Sequence, residues 1–195
     1  MDDFPGVLAR AQHGNEAAFT VVFRAMQPML LRYLTVLAGP SAAEDLAAET
    51  WVAALRGLVK FRGNESDLRG WLITIARARW VDNVRASARR PEELTDELPE
   101  RHADDDVAAT VVERAASDEA IALIARLPQE QAEIVALRVV GQLEVAEVAE
   151  LTGKTANHVR VLCHRGLRRL ATMLQASGLP ASGVMPALVS TMDES

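Results

Sequence analysis

Thr155, Asn157, His158, Arg160, His164, Arg165 and Arg168 lie within one short stretch, and their side chains suit phosphate oxygens and the edges of bases. An arginine gripping guanine with two hydrogen bonds discriminates by roughly 1–3 kcal/mol. A second basic series, Arg77, Arg79, Arg85, Arg89 and Arg90, follows the apolar run from Leu68 to Ala76. Asp45 and Glu49 stand four residues apart and place two carboxylates on one helix face. Bond-breaking chemistry has no comparable set. The single cysteine excludes an internal disulfide, and four scattered histidines give no metal-ligand spacing. No Asp, Glu and His group converges into a nucleophile, metal or acid-base site, so no catalytic residue, metal or cofactor is expected. Cys163 and His164 read as a small buried thiol and a helix-face imidazole.

The last basic cluster needs a rigid element to present it. Val145, Val148, Ala149 and Leu151 mark a helix that Thr152-Gly153-Lys154 interrupts, and Thr155 can cap a second helix. Small Ala149, turn-forming Gly153 and Val159 in the angle make this helix-turn-helix grammar. Ala156, Val159, Cys163, Gly166 and Leu170 then face inward, leaving the basic residues and Val161 outside.

The rest of the chain also reads as helices. Phe4 to Ala11 forms a short one, broken at Gly14-Asn15, and Phe19 to Leu37 a long one that Pro28 kinks or offsets. Ala38-Gly39-Pro40 stops it, and Ser41 with Glu44 predicts a capping box for a third helix running to about Lys60. Ala47, Trp51, Ala54 and Leu58 are its buried stripe; Asp45, Glu49, Val52 and Arg56 recur on another face. After the Phe61–Ser66 loop, Ser66 or Asp67 can cap a fourth helix reaching about Arg90, with Trp71 in the core and Trp80 open to core or DNA. Further helices are expected from Asp118 to Leu127, and after Pro128 through Ile134 and Leu137 to Val140.

Low aromatic content, 4%, with abundant Ala, Leu, Val and Arg favours an all-α protein. The net charge of -6 is local in origin: residues 1–90 hold 12 basic and 9 acidic side chains, whereas 91–121 hold 2 and 11. The expected organisation is therefore two small helical domains, 1–90 and 118–175, joined by an acidic flexible linker over 91–117, with a flexible tail over 176–195. No window approaches the roughly 18 to 20 apolar residues that span a bilayer, and the start MDDFPG lacks a signal peptide's basic head. A cytoplasmic location without direct membrane insertion is the expectation.

The order of these parts resembles the extracytoplasmic-function (ECF) sigma factors of the sigma-70 family. The resemblance rests on Gly14-Asn15-Glu16-Ala17-Ala18-Phe19, Ala43-Glu44-Asp45-Leu46 with Glu49-Thr50-Trp51, Phe61-Arg62-Gly63, and Trp71-Leu72 with Ile75-Ala76-Arg77. Asp82, Arg85, Leu127-Pro128 and Ala146-Glu147-Val148-Ala149-Glu150-Leu151 continue it. It implies core RNA polymerase and promoter DNA as partners, and an anti-sigma factor clamping both domains. By the same resemblance Asp45, Leu46, Glu49 and Val52 bind polymerase. Phe61, Arg62, Gly63 and Asn64 would capture an unstacked base of the -10 element, with Arg77, Arg79, Trp80 and Arg85 along that strand. The -35 element would fall to Thr155, Asn157, His158, Arg160, His164, Arg165 and Arg168. Ala48 and Ala78 replace the family's usual glutamine and asparagine, and Val161-Leu162-Cys163 replace serine, arginine and leucine. The linker, with Asp104-Asp105-Asp106, would thread the polymerase. The competing expectation is a free-standing two-domain helix-turn-helix transcriptional regulator, binding DNA on its own.

Overall fold

A computed structural model describes residues 3–89 and 118–176, and all regular structure among them is helical. The first group comprises α1 (Phe4–Gln12), α2 (Glu16–Ala38), α3 (Pro40–Leu58) and α4 (Glu65–Arg89). The second comprises α5 (118–125), α6 (Gln129–Val139), α7 (Val145–Thr152) and α8 (Ala156–Ala176). The acidic linker and the tail from 177 onward lie outside the described residues.

Local signals set the boundaries. Asn15 caps α2 by accepting a 2.8 Å hydrogen bond from the Ala18 backbone nitrogen. Gly39, at φ 78°, ends α2 and starts α3 without another residue between them. The expected Ser41–Glu44 capping box is not formed, because Pro40 already occupies the first turn and draws Ser41 into the helix. At α4 the cap lies before Ser66 and Asp67: Asn64 Oδ1 accepts from the Asp67 nitrogen at 3.0 Å, and Asp67 Oδ2 accepts from the Asn64 nitrogen at 2.7 Å. Pro28 sits inside an unbroken α2.

Helix α2 is the spine of the first group, with α1, α3 and α4 packed around it. Val22, Met26, Leu30, Tyr33 and Leu34 are buried along it. Each such aliphatic side chain contributes roughly 1.5–3 kcal/mol by leaving water. Trp51 of α3 rests on Phe19 and Phe23, at ring-centroid distances of 5.8 and 5.0 Å, and donates its indole N–H to Gln27. Gln12 closes the far end of α3 by donating to the Leu58 and Phe61 carbonyls. By length and composition α2 could cross a bilayer, with a mean hydropathy of 1.2, so it comes nearer that limit than its sequence suggested. Its apolar residues are those of a helix surrounded by others.

In the second group α8 packs on α6 so closely that a Cβ added at Gly166 would stand 2.7 Å from Val135 Cγ2. The interior of α6 also holds charge: Glu133 and Arg138 are buried. Arg138 donates to the Leu143 carbonyl and pairs with Glu144 at 3.4 Å, which fixes the bend into α7. The two groups touch. Helix α6 lies against α2, Leu143 rests at Gly70 of α4, and Gly141 faces Ile73 so tightly that a Cβ there would be 2.6 Å from Ile73 Cδ1.

Candidate nucleic-acid and polymerase surfaces

The helix-turn-helix forms as its residues dictate. Glu144 and Glu147 build a capping box at the start of α7, and Gly153 ends it in the left-handed conformation at φ 68°. Thr155 Oγ1 accepts from the His158 backbone nitrogen at 3.2 Å, and Val159 is wholly buried in the angle. Asn157, His158, Arg160, Val161, His164, Arg165 and Arg168 are all exposed on the outer side of α8. Leu162 is buried and Cys163 only half-buried, because the inward stripe runs through Val159, Leu162, Gly166 and Leu170. The departure from the family's arginine at Leu162 is thus spent on packing. Burial pushes the Cys163 thiol pKa up, against a smaller opposite pull from Arg138, which disfavours a reactive thiolate. At the turn, Lys154 reaches Glu130 at 2.8 Å and holds that carboxyl below its ordinary pKa through the hydrogen bond.

On α3, Asp45, Glu49 and Val52 are exposed, but Leu46 is buried in the core and cannot meet a partner on this face. The helical period explains the difference. Leu46 shares its face with Ala43, Ala47, Thr50 and Ala54, all buried, whereas Asp45, Glu49 and Val52 share the outer one. That outer face also carries Leu55, 49% exposed, and Val59, 62% exposed, beside Val52 at 53%. Steps of three and four from Val52 could have located them in the sequence.

Around the loop, the expected base-capture residues are partly engaged inside the protein. Phe61 stacks on Trp71 at a centroid distance of 5.1 Å, and Arg62 folds back onto the Val59 and Phe61 carbonyls. Gly63, at φ 152°, makes room for Asp67, whose Cβ would lie 2.6 Å from an added Cβ; Asn64 is the α4 cap. On α4, Trp80 is 7% exposed and belongs to the core, not to a DNA surface, while Arg79 is half-buried. Arg85 is exposed beside Asp82, at 3.9 Å. Arg77 turns toward α6, where its Nε donates to Glu133 Oε1 at 2.6 Å. Among the described residues no group of three or more His, Cys, Asp or Glu side chains is arranged to hold a metal.

Comparison with known proteins agrees with this geometry. Residues 22–90 match the family model for Sigma-70 region 2, and residues 117–170 match that for Sigma-70, region 4. The chain is 33% identical over 174 residues to the ECF RNA polymerase sigma factor BldN of Streptomyces coelicolor, covering 86% of this chain and 64% of BldN. It is 32% identical over 178 residues to the ECF RNA polymerase sigma factor SigD of Mycobacterium tuberculosis, covering 88% and 84%. In fold it is similar to the sigma factor RpoE of Bartonella quintana, solved with the anti-sigma factor NepR, at a TM-score of 0.60, 19% identity, and coverage of 80% and 96%. The chain belongs to the ECF group of sigma-70 family factors. It is an alternative sigma factor, a transcription initiation factor that directs RNA polymerase to promoters.

Proposed function

We propose that the two groups of helices divide promoter reading between them, with 1–90 as the polymerase-binding and -10 domain and 118–175 as the -35 domain. The outward face of α8 carries this reading: a capped recognition helix presents Asn157, His158 and Arg160 near its start and Arg165 and Arg168 further along. Residues near the start reach base edges; the later arginines, with Thr155 and His164 at the margins, suit phosphates. On the first domain, Asp45, Glu49 and Val52, extended by Leu55 and Val59, form an acidic and apolar face for a basic, apolar-edged segment of core polymerase. Arg62, Arg79 and Arg85 serve the opened -10 strand, joined by Arg77 and Phe61 once these leave their internal partners.

The protein acts by binding energy and not as an enzyme: capture of unstacked bases offsets the cost of melting. Its place of action is the cytoplasm, where the polymerase works, and an anti-sigma factor is a further partner. Core polymerase incubated with the pure protein should retain it through gel filtration and produce run-off transcripts from genomic fragments. If neither occurs, while the protein alone binds duplex DNA tightly, the free-standing regulator is the better description.

A further inference from the structure

We infer that the Arg77–Glu133 ion pair is a latch that holds the unbound protein closed and withholds Arg77 from DNA. The inference rests on the proposed role of Arg77 at the -10 strand. The pair joins α4 to α6, across the seam between the two helical groups, its members 56 positions apart in sequence. Its Nε to Oε1 distance of 2.6 Å is that of a charge-assisted hydrogen bond, and the Glu133 side chain is only 9% exposed. A carboxylate so placed offers Arg77 the same oxygen chemistry as a DNA phosphate. With its Nε held by Glu133 and only 24% of its side chain exposed, Arg77 is turned into the seam and away from a strand in solvent.

The seam around the latch has the marks of a contact that opens. The Tyr33 hydroxyl, close enough to feel both charges, is buried without a hydrogen-bond partner among the described residues. Arg69 of α4 donates a hydrogen bond to the Gln142 side chain across the same seam, an exposed polar contact that water can replace. Opening would hydrate the hydroxyl and exchange the Arg69–Gln142 hydrogen bond for water, so the closed form depends on the ion pair and on the Leu143 contact at Gly70. Polymerase and promoter select the open form by binding it better.

The test uses the full chain with Cys163→Ala and dyes at Val21→Cys and Thr172→Cys, reporting the separation of α2 and α8 by energy transfer. Glu133→Gln should lower the transfer and raise affinity for a fluorescein-labelled random-sequence single-stranded DNA roughly tenfold, as expected if about one molecule in ten is open beforehand. The reversal Arg77→Glu with Glu133→Arg should keep the wild-type transfer without the gain in DNA affinity. Unchanged transfer in Glu133→Gln, or a double reversal that is as open as the single variant, overturns the latch. Opening with no gain in DNA affinity overturns the masking of Arg77. Run-off transcription by core polymerase with Arg77→Ala tests the underlying role separately: normal transcription there removes Arg77 from the DNA contacts, whatever the energy transfer shows.

Discussion

Two buried polar residues carry effects out of proportion to their number. Arg138 holds the Leu143 carbonyl and Glu144 from within the second core, so Arg138→Ala leaves a buried carbonyl unpaired and loosens the bend into α7. A loss of about 2–3 kcal/mol in urea unfolding is expected. Tyr33 is the converse case, a hydroxyl that gains nothing from its position. Tyr33→Phe should therefore be neutral or stabilising by about 1 kcal/mol. Burial, reinforced by Glu133 and opposed by Arg77, raises the Tyr33 pKa above the ordinary tyrosine value. A raised folded-state pKa means that the contribution of neutral Tyr33 is complete below about pH 10 and is lost as pH climbs beyond it. Melting temperatures taken above pH 10 should fall more steeply for the wild type than for Tyr33→Phe. On the surface, Asp45→Arg with Glu49→Arg should weaken polymerase binding about tenfold or more in a competition titration while the thermal melt stays in place, since both side chains are exposed.

At the level of elements, the helix-turn-helix was the most legible part of the chain. Its signals are local: Gly153 for the left-handed turn, Thr155 for the cap and Val159 for the angle each act within a few residues. The caps of α3 and α4 lie two to three residues ahead of the expected ones, at α3 because Pro40 fills the first turn and at α4 because several polar side chains in a row can serve as a cap. The burial of Leu46 was missed, and Trp80 left open between core and DNA, for a related reason. A helix with apolar residues on several sides does not reveal which side is covered until its neighbours are known. Charge inside α6 was less legible still, because Glu133 and Arg138 acquire partners from α4 and from the following bend, respectively. The cap assignment can be checked by Asn64→Ala, which should cost about 1 kcal/mol and raise hydrogen exchange in the first turn of α4, leaving α8 unchanged.

For the whole molecule, the decisive fact is that the two helical groups meet, α6 against α2 and, through the Arg77–Glu133 pair, against α4. Composition showed two basic regions around an acidic one, but no local pattern could show that the two halves pack together. The position of the acidic residues still has a consequence in solution. Neutralising Asp104, Asp105 and Asp106 to asparagine should raise the association rate of the free protein with duplex DNA a few-fold at low salt, and the gain should shrink as salt is added. Stopped-flow fluorescence would measure it, and an equal gain at every salt concentration would exclude a long-range field. The seam also bears on how the chain is made. Helix α2 ends at Ala38 and α6 begins at Gln129, so at bacterial speeds of about 5–20 residues per second the ribosome needs roughly 5–20 s to supply the helix that covers it. During that interval the nascent first half waits with one apolar side open to solvent, and a chaperone at the tunnel exit would find its binding surface there.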